Sequence, residues 1–86
     1  FKPGEGPKAA EEGRTARDGE RPVNTSGGLK AKGHPVGATG VGQLVEVWEQ
    51  MSGHAGQRQV AGVNLALTHN VGASGSSVVV HIFERR

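Results

Sequence analysis

His34 stands in the run Gly33-His34-Pro35, between two residues that control backbone shape. Pro35 steers the residue before it away from the helical region, and Gly33 is free to take positive φ, so irregular backbone presents the imidazole. A ring placed there can act as a general base near neutral pH, or donate a hydrogen bond to an oxygen that gains negative charge. A second polar pair, His69-Asn70, sits where a β-prone run gives way to Val71-Gly72 and a Gly/Ser-rich stretch. As the start of a loop, this placement brings polar side chains and free backbone N–H groups to a cleft. The two histidine segments form an oxyanion-stabilising constellation only if both open on the same side. No Cys is present, and no Ser has a neighbour that argues for its activation, so the constellation lacks its own nucleophile. Structural roles stand beside these chemical ones: an exposed or satisfied ring for His34, loop anchoring for His69 and Asn70.

The remaining chemistry-bearing residues carry weaker signals. His34, His54, His69 and His81 have no metal-ligand spacing, so no metal site is expected. His81 lies inside a β-prone run and reads as a satisfied or interfacial histidine. Gly37-Ala38-Thr39-Gly40-Val41-Gly42 suggests a nucleotide loop only superficially, because no strand feeds directly into it. Lys30 and Lys32 could meet a phosphate, yet two solvated lysines explain them as well.

The elements that must position these groups are legible in outline. Val41, Leu44, Val45, Trp48 and Met51 recur at three- and four-residue spacing and predict an amphipathic helix with this stripe as its packed face. Thr39 is the expected N-cap and Gly53 the stop. Residues 23–42 are dense in glycine, which predicts loop rather than regular structure before that helix, with Gly27, Gly28 and Gly33 free to take positive φ. Residues 63–67 and 77–83 are β-prone, and the Gly/Ser-rich segment between them suits an antiparallel hairpin rather than a crossover. The near-continuous Val78-Val79-Val80 suggests burial on both faces, which one helix and two strands cannot supply. The unit therefore reads as loop, helix, strand, strand from a larger layered α/β fold.

Composition sets the outer bounds. The chain has 86 residues, 15 of them Gly, no Cys, 34% hydrophobic residues and a net charge of +2. Disulfide frameworks are excluded, and the charge is too weak and scattered for a nucleic-acid stripe. Two Phe and one Trp give no stacking platform. No apolar run suits a membrane span and no signal peptide is legible, so a cytoplasmic location is expected. Residues 1–22 hold five basic and five acidic residues and no Leu, Ile or Val. They read as a charged surface segment, disordered in isolation or laid on a parent domain, with 23–86 as the structured part. The start at Phe1, without an initiator Met, points to a segment of something larger.

Asn24-Thr25-Ser26-Gly27-Gly28 followed by Gly33-His34-Pro35-Val36-Gly37-Ala38-Thr39-Gly40 closely resembles the C-terminal signature of thiolases. The likeness continues to residues 66–83, which are similar to the closing hairpin of the branch containing sterol-carrier-protein thiolases and archaeal acetyl-CoA acetyltransferases. It covers residues 20–86. The resemblance implies the C-terminal fragment of a layered αβαβα fold, contributing its last helix and an antiparallel strand pair. It implies that His34 helps to activate a nucleophilic Cys and donates to an oxyanion hole for the thioester oxygen, with Gly33 and Pro35 fixing its approach and Asn24 shaping the loop. His69-Asn70-Val71-Gly72 departs from the Cys-x-Gly motif of conventional thiolases, which puts the role of His69 as a proton carrier in doubt. Backbone N–H groups around Val71 and Gly72 can still line the hole.

The same resemblance implies a parent that condenses acyl-CoA thioesters or cleaves 3-oxoacyl-CoA, with coenzyme A or acyl-CoA as substrate and no bound cofactor. A thiolase-fold lyase or aldolase acting on CoA-linked sterol side chains is an alternative, as is a non-catalytic acyl-CoA-binding or scaffolding subunit. The implied partners are the remainder of the subunit, further copies of the full-length chain, and an OB-fold, zinc-ribbon protein. The nucleophile is absent from these residues, so the 86-residue chain alone is expected to be inactive.

Overall fold

A computed structural model describes residues 1–72 and 74–86. Three helices, α1 (Gly6–Glu11), α2 (Gly28–Lys32) and α3 (Thr39–Ser52), precede a 3₁₀ turn at Gly56–Arg58 and two strands, β1 (Leu65–Val71) and β2 (Val78–Glu84). Pro7 and the Ala9-Ala10-Glu11 run favour α1, and Gly13, at φ +75°, ends its continuation. Arg17 Nη1 then donates to the Gln57 carbonyl at 2.6 Å, tying this charged segment to the 3₁₀ turn.

The central helix α3 spans 14 residues and stops at Gly53, whose φ of +78° gives the left-handed cap that glycine takes without strain. Its start differs from the sequence expectation. Thr39 is the first helical residue and Ala38 the N-cap, with no side-chain capping bond. A tight turn explains the difference: the N–H groups of Ala38 and Thr39 both donate to the Pro35 carbonyl, at 2.8 and 3.0 Å, and lead the chain directly into the helix. The segment before it also departs from pure loop, because Gly28–Lys32 closes a short helix between glycines at φ +94° and +83°.

The strands pair antiparallel, with Leu65 opposite Glu84 and Val71 opposite Val78. β1 begins and ends later than residues 63–67, so Thr68, His69 and Asn70 lie in the strand and not in the connecting loop. The β-branched and aromatic run from Val78 to Phe83 gives β2 a ladder long enough to hold these polar residues in extended backbone. Residues 72–77 make the connection, in which the Gly72 N–H donates to the Ser77 carbonyl at 2.6 Å. Alternation then decides the faces: Ala66, Thr68 and Asn70 turn toward α3, whereas Leu65, Leu67, His69 and Val71 are exposed.

α3 packs on this sheet with the side opposite to the one its hydrophobic pattern predicts. Trp48 is 63% exposed, and Val41, Leu44 and Val45 are exposed with it. The packed side carries Gln43, Glu46, Val47 and Gln50, spaced three and four residues apart. Gln50 is buried and works as a polar clasp: its amide accepts from the Val60 N–H at 2.9 Å and donates to the Arg58 carbonyl at 2.8 Å. Arg58 in turn bonds Glu46 and Glu49, at 3.2 and 2.5 Å, and these carboxylates, Glu46 first, hold its guanidinium above its ordinary pKa. The only buried apolar side chains among the described residues are Ala9 and Ala55.

Candidate functional site

Two approaches of the chain make an open cleft of about 840 Å³. The His34-to-Thr39 turn and the first residues of α3 form one wall, with His34 and Thr39 facing in; the end of the hairpin forms the other, with Asn70, Val71, Gly72 and His81. The proximity follows from topology. α3 runs back across β1, so the loop before the helix arrives beside the turn after the strand.

Gln43 fixes that arrangement. Asn70 Nδ2 donates to Gln43 Oε1 at 2.6 Å, and Gln43 Nε2 donates to the His69 carbonyl at 3.4 Å. One helical side chain thereby holds both the side chain and the backbone of the strand that leads into Val71-Gly72. On the opposite wall His34 Nδ1 lies 2.6 Å from Thr39 Oγ1, which donates to the Pro35 carbonyl at 3.2 Å. The imidazole is therefore anchored through Nδ1, and Nε2 is the nitrogen left for the cleft.

The sequence-derived site residues divide into two groups. His34, Asn70, Val71 and Gly72 share the cleft. Asn24, Gly33 and His69 lie instead on a separate opening between the 19–33 segment and β1. His69 pairs with Val80 on the exposed face of the hairpin, on the other side of the strand from Asn70. Its placement corrects the reading of His69 and Asn70 as one loop pair: consecutive residues in a strand point to opposite faces. Asn24 has φ +49°, accepts the Gly27 N–H at 2.8 Å, and packs its side chain against Gly28, which is a loop-shaping position.

Beyond the sequence-derived candidates, the cleft gains His81 and Thr39, and Gln43 braces the strand beside it. His81 pairs with Thr68 and so shares its face, a parity that can be counted through the hairpin once the register is known. Thr39 was read only as a cap. Gln43 lies off the apolar stripe of α3, and apolar spacing gives no signal for a polar residue that meets the strand. Among the described residues no cluster of three or more His, Cys, Asp or Glu is placed to hold a metal ion, and no helix is long and apolar enough to cross a membrane.

Known proteins supply the context for this geometry. The thiolase C-terminal domain-like family matches residues 1–85. The acetyl-CoA acetyltransferase of Methanothermobacter thermautotrophicus is 56% identical over 82 residues, covering 95% of this chain and 21% of that protein. Sterol carrier protein 2 of Bos taurus is 49% identical over 76 residues, covering 88% of this chain and 14% of the relative. The acetyl-CoA acetyltransferase of Methanocaldococcus jannaschii is 46% identical over 68 residues, covering 76% and 17%. The chain thus spans about a fifth or less of the length of these curated relatives. With a family match over nearly its whole length, and a helix and antiparallel strand pair where that family's signature implies them, the chain belongs to the thiolase C-terminal domain-like family.

Proposed function

We propose that this chain is the C-terminal part of a thiolase-like acyl-CoA acyltransferase, supplying the acid/base histidine and one side of the oxyanion site. The observation that carries this reading is the shared cleft of His34 with the Asn70-to-Gly72 turn. Claisen condensation and its reverse, thiolytic cleavage of a 3-oxoacyl-CoA, both place negative charge on a thioester oxygen. A preorganised N–H donor stabilises that charge more in the transition state than in the ground state.

In this reading His34 Nε2 takes a proton from a nucleophile contributed by the remainder of the subunit, then donates to the developing oxyanion. Backbone N–H groups near Val71 and Gly72 supply further donors, a role that needs no particular side chain. His69 takes no part, since it lies on the other face of the strand. Acyl-CoA is the substrate, with coenzyme A as the leaving or attacking thiol.

The test uses the full-length subunit with a short 3-oxoacyl-CoA and coenzyme A, followed by loss of the substrate. His34→Ala is expected to lower kcat by ~10²–10⁴, the usual contribution of a positioned acid/base group. His69→Ala is expected to stay within about threefold of wild type, as suits a side chain outside the reacting cleft. Undiminished turnover in His34→Ala, or substrate binding with no cleavage in the wild type, would sink the reading.

A further inference from the structure

We infer that Thr39 is a positioning residue whose hydroxyl fixes the tautomer of His34, keeping one proton on Nδ1 and leaving Nε2 as the nitrogen that takes and returns a proton. This rests on the acid/base reading of His34 given above. The hydroxyl has one proton and two polar neighbours: His34 Nδ1 at 2.6 Å and the Pro35 carbonyl oxygen at 3.2 Å. A carbonyl can only accept, whereas a neutral imidazole nitrogen either donates or accepts. Both contacts are hydrogen bonds in a single arrangement, in which His34 Nδ1–H donates to Thr39 Oγ1 and the hydroxyl donates on to the Pro35 oxygen. The opposite arrangement turns the hydroxyl proton to Nδ1 and leaves two oxygens facing each other at 3.2 Å with no proton between them.

The end of this relay is fixed. The Pro35 carbonyl also accepts the N–H groups of Ala38 and Thr39, at 2.8 and 3.0 Å, so the turn that starts α3 holds it in place. Thr39 is β-branched and stiff about χ1, and its own backbone is tied by the same turn. The unusual helix start thereby acquires a purpose. A threonine used as a cap turns its hydroxyl to helix N–H groups, whereas here the hydroxyl is free for the imidazole.

The proton balance is simple. A nucleophile X–H loses its proton to Nε2 and becomes X⁻, and the ring becomes imidazolium with Nδ1–H still donating to Thr39. As X⁻ takes the acyl group and the thioester C–S bond breaks, the proton passes from Nε2 to the departing coenzyme A thiolate, and nothing is oxidised or reduced. With the tautomer reversed, Nε2 already carries a proton and cannot accept one.

The experiment uses the full-length subunit with its histidine rings labelled with ¹⁵N, and His34 assigned by the signal lost in His34→Asn. Wild type and Thr39→Ser are expected to show a protonated, pyrrole-like Nδ1 and a bare, pyridine-like Nε2 when the ring is neutral. Thr39→Val keeps the shape and removes the hydroxyl, and is expected to move proton population onto Nε2. In turnover, Thr39→Val should lower kcat at least about tenfold, a part of the ~10²–10⁴ a positioned acid/base group supplies, with KM nearly unchanged. Thr39→Ser should restore most of it, which a purely packing role for the methyl group would not allow. A pyrrole-like Nε2 in the wild type overturns the proposal by itself, whether or not the valine variant folds; so does a Thr39→Val spectrum identical to wild type. His34→Ala separates the two readings: full activity there ends the acid/base assignment, while the ring spectrum decides the Thr39 relay independently.

Discussion

His34 and Asn70 are held by quite different bonds, and the difference sets what each mutation does. The His34 contact is made at the cleft rim by exposed groups, so losing its partner alters proton placement more than stability. The Asn70 contact is half-buried and links a helix to a strand. Replacing Gln43 with Leu leaves Asn70 Nδ2 without its acceptor, a loss of about 1–2 kcal/mol for a partly desolvated donor. The expected readout is a lower urea midpoint for the full-length subunit at unchanged slope. An unchanged midpoint would mean that water replaces Gln43 without cost.

At the level of elements, α3 is fastened by polar side chains on the side that faces this chain. Gln50 alone satisfies the Val60 N–H and the Arg58 carbonyl, and its amide also donates to Thr25 Oγ1 at 3.3 Å. Gln50→Ala orphans two backbone groups at once. The expected cost is about 2–3 kcal/mol, seen as a lower denaturation midpoint and faster hydrogen exchange at Val60. Unaltered exchange at that amide would remove Gln50 as the clasp. The Arg58 cluster with Glu46 and Glu49 is too exposed to take over this role, since ion pairs screened by water contribute little.

The whole molecule has more surface than its mass accounts for. Its accessible area is 6564 Å², against roughly 4,800 Å² for a self-contained monomer of this size. Much of the excess is apolar: the α3 stripe through Trp48, and the outer hairpin face with Leu65, Leu67, Val80 and Ile82, the last 72% exposed. Two buried alanines and a two-stranded sheet cannot offset ~1–2 kcal/mol of backbone entropy per residue. The 86-residue chain in isolation is therefore expected to show no cooperative thermal transition and poorly dispersed amide signals. A sharp transition with dispersed signals would show that the small core suffices.

The local chemistry was legible from the order of residues alone. Glycine-flanked His34, the left-handed stop at Gly53, the helix period and the β-prone runs are short-range properties, and each survived into the structure with small shifts of boundary. The contiguous signature from Asn24 to Gly40 was legible for the same reason, since it is carried by neighbours in the chain. Register, and which face meets which, emerge only once distant segments are packed together. The polar and not the apolar side of α3 packs on this hairpin, because hydrophobic period marks a buried face without naming its partner. A strand a few residues further along than the β-prone run places His69 outside the cleft and puts Asn70 and His81 in it, because side chains in a strand alternate residue by residue.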